Sequence, residues 1–161
     1  MKDNHKIIKN PFLNIVLFQP EIPANTGNIA RLCGAAELRL HLIHPLGFRV
    51  DDRHLKRAGL DYWKEVDVRH HENFESFLIS DDKIEERLVC FSKFAEKNYT
   101  GMIINRCDYL MFGQESLGLP VEMREKYPCL RIPIFGKVRS LNLSTSVGIV
   151  SYHYMHQMGC F

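Results

Sequence analysis

The sequence contains no long apolar run and no pair of cysteines at Cys-x-x-Cys spacing. No apolar stretch approaches the roughly 20 residues that a bilayer-spanning helix needs, and residues 1–11 are too polar for a signal peptide. The five cysteines form an odd, scattered set, which is typical of reduced and mostly buried thiols. We therefore expect a cytoplasmic protein without a membrane segment.

Familiar nucleotide-binding and hydrolase motifs are also absent. Gly136-Lys137 is not followed by Ser or Thr, which excludes a P-loop, and no G-x-G-x-x-G fingerprint follows a predicted strand. The loop around Ser116 nearly imitates the hydrolase elbow G-x-S-x-G, but the serine stands one place late. His153 and His156 lack the carboxylate or thiol pattern that completes a metal site, so we expect no metal.

Charge is close to balanced, with 21 Lys and Arg against 19 Asp and Glu, for a net charge of +2. Such a chain binds nucleic acid only through local basic clusters. The composition, 45% hydrophobic and 25% charged, is typical of globular domains. From the length we expect a loose N-terminal extension, residues 1–12, and one domain, residues 13–161.

Apolar runs and helical periodicity alternate along the chain. Strands are predicted at residues 13–18, 40–43, 66–68, 87–91, 108–112 and in a short run that stops at Pro133. Helices are predicted from Asn25, at residues 53–58, 74–79 and 120–127, and from Leu143. No hairpin dipeptides join the strands, so we expect an α/β fold with a mostly parallel sheet and flanking helices. Polar loops would then gather at the carboxyl ends of the strands, where ligands bind.

The last of these loops is the most polar connection in the chain. It crowds together Lys137, Arg139, Ser140, Asn142 and Ser144 immediately before a helix with apolar residues at helical spacing. A strand, a polar loop and a helix start make a cradle for anionic or polar groups. An ordinary last strand and closing helix is the alternative interpretation.

Three segments carry a resemblance to a known family. Residues 25–31 (Asn-Thr-Gly-Asn-Ile-Ala-Arg), 112–120 (Phe-Gly-Gln-Glu-Ser-Leu-Gly-Leu-Pro) and 139–144 (Arg-Ser-Leu-Asn-Leu-Ser) resemble, in order and spacing, the three motifs of the SPOUT methyltransferases. Residues 20–28 and 51–62 are similar to the subgroup that methylates the wobble ribose of tRNA. The resemblance implies a carboxyl-terminal deep trefoil knot, a homodimer with the site near the subunit interface, and S-adenosylmethionine as cofactor.

The resemblance also implies a set of cofactor-binding residues: Phe91, Gly113, Glu115, Gly118, Ile132, Ser140 and Leu141. Phe91 stands where an aliphatic residue is expected. Glu115 either anchors its own loop or faces the site, and Ile132 is equally well explained as strand core. Gly113 and Gly118 permit the unusual dihedral angles and close backbone approach of a tight adenosine-binding loop.

Catalytic roles are implied for Arg31, Ser140, Asn142 and Tyr152. We favour Arg31 as a clamp that holds a phosphate and polarises the ribose hydroxyl; a base role is the alternative, although a guanidinium loses its proton only above pH ~12. Ser140 and Asn142 would orient substrate or cofactor. Tyr152 is either catalytic or a packed interface residue.

A basic helix is expected to contact RNA. Arg53, Lys56 and Arg57 precede Tyr62 and Trp63, and cations beside stackable rings suit RNA backbone and unpaired bases. A solvated helix face is the alternative interpretation. The remaining residues expected to contact the anticodon stem-loop are Asn28, Lys137 and Arg139.

These expectations combine into one functional hypothesis. The chain is expected to transfer a methyl group from S-adenosylmethionine to the ribose 2′-hydroxyl of the wobble cytidine or uridine in tRNA. One alternative is the same reaction on rRNA or at another tRNA position. A second alternative is an RNA-binding module without catalytic activity.

Overall fold

The computed structural model describes residues 6–50 and 60–161. Within these ranges, seven strands form one sheet: β1 (Asn14–Phe18), β2 (Arg39–Ile43), β3 (Asp67–His71), β4 (Leu88–Phe91), β5 (Lys97–Asn98), β6 (Tyr109–Phe112) and β7 (Cys129–Arg131). Their order is β3-β2-β1-β6-β4-β7-β5, and each of these pairings is parallel. The mostly parallel sheet predicted from the sequence is confirmed.

The described ranges contain five α-helices: α1 (Pro23–Ala36), α2 (Phe74–Leu78), α3 (Ile84–Arg87), α4 (Val121–Lys126) and, after the last strand, α5 (Leu143–Gln157). Two short 3₁₀ helices lie at Leu60–Glu65 and Tyr99–Gly101. Helix α1 ends at Ala36, and the left-handed backbone of its C-cap Glu37 (φ 53°) lets the next N–H, that of Leu38, donate to the Cys33 carbonyl over 3.0 Å. Among the described residues, no helix combines the length and the apolar character that crossing a membrane requires.

The sheet is buried on both faces, which explains the continuous apolar runs of its central strands. On one face, Ile15 and Leu17 of β1 pack with Ile29 of α1 and Val147 of α5. On the other face, Val16 packs with residues from α2 and α3. Helices α1 and α5 therefore share one face of the sheet and fix the relative position of two of the three motif segments.

The predicted strands differ from the structure mainly at the edges of the sheet. Strand β7 ends at Arg131 rather than at Pro133, because its partners β4 and β5 end opposite Leu130 and Arg131 and Pro133 has no N–H to donate. Ile132 therefore lies beyond the strand. Strand β3 continues past Val68, since His70 and His71 pair with β2.

Two described residues of the predicted N-terminal extension, Lys6 and Ile8, form hydrogen bonds with the rest of the chain. Lys6 N donates to the Lys64 carbonyl over 3.1 Å, and Ile8 N donates to the buried Asp67 carboxylate over 2.9 Å. All five cysteines are free, as expected, although only Cys33 and Cys90 are fully buried. The predicted helix at residues 53–58 falls outside the described residues.

Candidate active site

A cavity of about 530 Å³ opens at the carboxyl end of the sheet. Phe91 and Phe112, the last residues of β4 and β6, line it, together with residues 113–118, part of the segment between β7 and α5, and the start of α5. Its size falls in the range of small-molecule sites, and its position is the one expected for a parallel sheet. The second and third motif segments, with Asn25 from the first, therefore meet at one cavity.

The loop after β6 has a backbone that tolerates no side chain at its first position. A Cβ on Gly113 would lie 2.2 Å from the Gly118 carbonyl carbon and 2.3 Å from Leu119 N. Gln114 and Gly118 exchange backbone hydrogen bonds of 3.3 and 2.9 Å across the loop, and Gly118 has φ +70°. Both glycines are thus required for this tight loop, which presents its backbone to the cavity.

Glu115 anchors this loop to the start of α1. Its carboxylate accepts hydrogen bonds from Glu21 N (2.8 Å), Ile22 N (3.1 Å) and the Asn25 side-chain amide (3.2 Å). In return, the Glu21 carboxylate accepts from the backbone N and the hydroxyl of Ser116, both at 2.8 Å. Of the two roles considered for Glu115, the geometry supports the anchoring of its own loop.

Asn142 connects the last motif to the first. Its Oδ1 caps α5 by accepting from Ser144 N (2.9 Å) and Thr145 N (3.3 Å), and its Nδ2 donates to Asn25 Oδ1 over 2.9 Å. Since Asn25 also donates to Glu115, a chain of three side chains links α5, α1 and the loop after β6. Asn25 was not among the predicted site residues, although its place at the start of the first motif was the available signal.

The apolar part of the cavity is formed by stacked rings. Phe91 and Phe112 lie with centroids 4.9 Å apart and planes 13° from parallel. The ring of Phe91 therefore fits where an aliphatic side chain was expected, because Phe112 provides a flat partner. Ile132 lies just beyond the end of β7 at Arg131, where it is half-buried, packs against the core and also lines the same cavity.

Few titratable groups line the cavity in the described part of the chain. They are Glu115, whose carboxylate already accepts three hydrogen bonds, and Lys93, at an exposed position after β4. Beneath the lining, burial raises the pKa of the Tyr154 phenol, which stays protonated and donates to the Tyr99 carbonyl over 2.7 Å. Within the described lining, therefore, the Glu115 carboxylate is engaged in holding its loop, and no imidazole is present.

The predicted site residues divide into those that line the cavity and those that do not. The lining includes Phe91, Gly113, Glu115, Gly118, Ile132, Ser140, Leu141 and Asn142. Arg31, Asn28, Tyr152, Lys137 and Arg139 are exposed and lie outside the lining of their own chain. Arg53, Lys56 and Arg57 lie outside the described residues.

Arg31 is separated from the cavity by the geometry of its helix. It follows Asn25 by six residues, which turns it to a different face of α1. Its guanidinium carbon lies 5.3 Å from the centre of the Tyr62 ring. Tyr152, on α5, is 46% exposed, with its ring 6.1 Å from that of Phe161. The four predicted catalytic residues are therefore not assembled around one cavity within a single chain.

The family model of the SpoU rRNA Methylase family matches residues 12–152. The chain belongs to this family. The membership predicted from three short motifs is thereby confirmed.

Two relatives and one solved structure resemble the chain over nearly its whole length. A Yersinia pestis protein named tRNA (cytidine(34)-2′-O)-methyltransferase is 44% identical over 153 residues, covering 91% of this chain and 94% of the relative. A Saccharophagus degradans protein of the same name is 45% identical, covering 91% and 96%. The solved structure, described as "Structural insights into the 2-OH methylation of C/U34 on tRNA", has a TM-score of 0.86 at 45% identity and covers 92% and 97%.

Proposed function

We propose that this SpoU family protein methylates the ribose 2′-hydroxyl of the wobble cytidine or uridine in tRNA, with S-adenosylmethionine as methyl donor. The observation that carries the proposal is the meeting of the second and third motif segments, and of Asn25, at one cavity in a chain that is 44% identical to a protein of that name. The hydrogen-bond chain Asn142–Asn25–Glu115, which joins residues far apart in sequence, supports a common site.

The cavity suits S-adenosylmethionine because apolar side chains line one part of it and a glycine-containing loop lines another. The stacked rings of Phe91 and Phe112 would offer a surface for the adenine, and we propose the loop after β6, which also lines the cavity, as the source of backbone donors and acceptors. We propose that Gly113, Ile132, Ser140 and Leu141 hold the cofactor, with Glu115 and Gly118 shaping the loop. When bound, S-adenosylmethionine supplies an electrophilic methyl group and a good leaving group.

The protein's own part is to align the ribose and to ease loss of its proton. Ser140 and Asn142, at the cavity rim, would orient the nucleotide. Arg31 would pair with a phosphate and polarise the hydroxyl. A guanidinium is a good hydrogen-bond donor for this purpose and a poor general base. Since Arg31 lies outside the cavity of its own chain, we propose a homodimer with the site near the subunit interface. Exposed apolar side chains on the α5 side (Ile149, Tyr152, Phe161) support such an interface.

The remaining proposals concern topology and recognition. The insertion of β7 between β4 and β5, which precede it in the chain, supports a carboxyl-terminal trefoil knot. Contacts to the anticodon stem-loop are proposed for Asn28, Lys137 and Arg139, which are exposed, and for the basic residues Arg53, Lys56 and Arg57. We place the protein in the cytoplasm, where its tRNA substrate is found, as one domain spanning residues 13–161.

A second candidate is methylation of rRNA, which the description of the matching family favours. Both candidates are tested by incubating the protein with labelled S-adenosylmethionine and either total tRNA or rRNA, followed by mapping of the modified nucleotide. A 2′-O-methyl mark at the wobble ribose is expected. Label confined to rRNA would support the second candidate. Cofactor binding without transfer to either RNA would indicate an RNA-binding module.

A further inference from the structure

An aromatic ring flanked by two cations stands at the rim of the cavity, outside every motif described above. Phe94 lines the cavity, yet its side chain is 62% exposed. Lys93 Nζ lies 5.2 Å from the centre of its ring, and the guanidinium carbon of Arg124 lies 4.9 Å from it. We call these three side chains the Phe94 patch.

The patch is held in place by short-range hydrogen bonds. Ser92 N donates to the Leu130 carbonyl over 2.9 Å, which fixes the start of the turn against β7. The Ser92 hydroxyl then accepts from Phe94 N over 3.2 Å. Arg124 Nε donates to the Leu119 carbonyl over 3.2 Å, which ties this cation to the loop after β6. The exposed ring is therefore positioned by three neighbouring segments of the site.

Both cations of the Phe94 patch lack a carboxylate partner in the described part of the chain. An exposed ring beside uncompensated cations, at the mouth of a cavity, has the chemistry that recognises an unpaired nucleotide. The base stacks on the ring and the adjoining phosphates pair with the cations.

We propose that the Phe94 patch binds one unpaired nucleotide of the RNA substrate, either the methylated nucleotide or one directly beside it. This inference rests on the proposed function, because it names a contact of the same site. The base stacks on the ring of Phe94, and the Lys93 ammonium pairs with a phosphate. The patch then steers the target ribose into the cavity that holds the methyl donor.

The test compares RNA binding with cofactor binding in matched variants. An RNA hairpin that reproduces a tRNA anticodon stem-loop is titrated by fluorescence anisotropy in saturating S-adenosylhomocysteine. Phe94→Leu is expected to weaken hairpin binding about tenfold, the size of one lost base–aromatic stack, while Phe94→Trp retains it. Affinity for S-adenosylmethionine, measured by calorimetry, is expected to stay unchanged. Ile79→Ala, which removes an 84% exposed apolar side chain outside the cavity, serves as the control and should bind the hairpin normally.

Two further measurements separate stacking from charge. Lys93→Gln is expected to reduce the slope of log affinity against log salt by about one, since one phosphate contact is lost. Hairpins with an abasic site at the wobble nucleotide or at either neighbour are then compared. For one of these three hairpins, Phe94→Leu should cause no additional loss of binding affinity, because the base that stacks on Phe94 is already missing.

Several outcomes would overturn the inference. If Phe94→Leu binds the hairpin like the wild type, the ring does not contact RNA. If it weakens S-adenosylmethionine to the same degree, the ring belongs to the cofactor site. If Phe94→Leu weakens the binding of all three abasic hairpins as much as it weakens the intact hairpin, stacking on these bases is excluded. These outcomes test the inference only if the wild-type protein methylates tRNA. A wild-type protein that binds the cofactor but methylates no tRNA would contradict the proposed function instead.

Discussion

Arg31 shows how one residue depends on a neighbouring element. It lies on the exposed face of α1, and its guanidinium faces the ring of Tyr62 at 5.3 Å. Tyr62 belongs to the 3₁₀ helix Leu60–Glu65, which packs on α1. The chain directly after this helix also lies close to α1, since a Cβ on Gly34 would be 3.3 Å from the Val66 side chain. Tyr62 is therefore placed to orient the arginine.

Arg31→Ala is expected to lower kcat for tRNA methylation by about 100-fold, a typical effect for loss of a catalytic group, without changing S-adenosylmethionine affinity. Tyr62→Leu should lower kcat only a few-fold, since an exposed cation–π contact contributes about 0.5–1 kcal/mol. Tyr62→Phe keeps the ring and should be normal. In the Arg31→Ala background, Tyr62→Leu should have no further effect. Unaltered tRNA binding and methylation in Arg31→Ala would show that its assigned role is wrong.

Asn142 combines a structural and a functional contact in one side chain, and two substitutions separate them. Asn142→Asp keeps the oxygen that caps α5 but loses the donor to Asn25 Oδ1. It is expected to unfold in urea near the wild-type midpoint while methylating tRNA more slowly. Asn142→Ala loses both contacts and should also lose about 1 kcal/mol of unfolding free energy. Equal activity in Asn142→Asp and wild type would exclude a role for the Asn25 link.

At the scale of the element, the loop after β6 gives the sharpest test of the cofactor site. Gly113→Ala would force a Cβ to within 2.3 Å of two backbone atoms that cannot move without opening the loop. We expect a loss of about 2 kcal/mol or more in unfolding free energy and at least about a tenfold loss of S-adenosylmethionine affinity.

Gly136→Ala is the matched control, because nothing lies within 4 Å of a Cβ built there. Its stability and cofactor affinity should stay within about 0.5 kcal/mol of wild type. Calorimetric titration with S-adenosylmethionine and urea unfolding measure both quantities. If Gly113→Ala binds the cofactor normally, the backbone of this loop does not form the site.

Central elements were predictable from the sequence, and edge elements were not. Strand β1 was predicted at residues 13–18 and found at Asn14–Phe18, because burial on both faces leaves a continuous apolar run. Strand β5 consists only of Lys97 and Asn98, both exposed, and exists because β7 lies beside it. Neither periodicity nor propensity marks such a strand, since its pairing is decided by distant residues.

The candidate site, too, was predictable from the sequence only in part. Motif spacing selected Gly113 and Asn142, which line the cavity, since a parallel sheet brings its loops to one end. The sequence could not show that Arg31 and Tyr152 lie outside the cavity of their own chain, because that depends on how α1 and α5 pack. The sequence also gave no signal for Phe94. Its proposed role in RNA binding depends on Lys93 and Arg124, and only folding brings Arg124 beside the ring.

At the scale of the whole molecule, the buried His41 and the half-buried His71 tie three adjacent strands, β1, β2 and β3, together. His41 on β2 lies 3.2 Å from Asn14 Oδ1 on β1 and 2.9 Å from His71 Nε2 on β3. Burial, reinforced by the charges of His71 and Arg39, holds the pKa of His41 well below its usual value. Burial also lowers the pKa of His71 to about 4, with His70, Arg69 and His44 adding repulsion. Both rings are therefore neutral in the folded protein at pH 7.

The sheet is expected to lose stability as the pH falls from about 6.5 towards 4. An unfolded histidine takes up a proton near pH 6.5, whereas His71 in the fold does so only near pH 4, so the unfolded chain binds more protons in between. The stabilisation is complete above pH 6.5. Asp67, whose pKa is lowered because hydrogen bonds outweigh burial, responds only below this window.

Urea unfolding at pH 7.5, 6 and 5 measures this effect, which for the half-buried His71 should amount to about 1 kcal/mol at pH 5. His71→Gln keeps a donor towards His41 Nδ1 and cannot titrate, so its stability should fall less between pH 7.5 and 5 than that of wild type. His156→Gln, at an exposed position near the end of α5, should retain the wild-type pH dependence. An identical loss in His71→Gln and wild type would show that His71 is not the group whose protonation weakens the sheet.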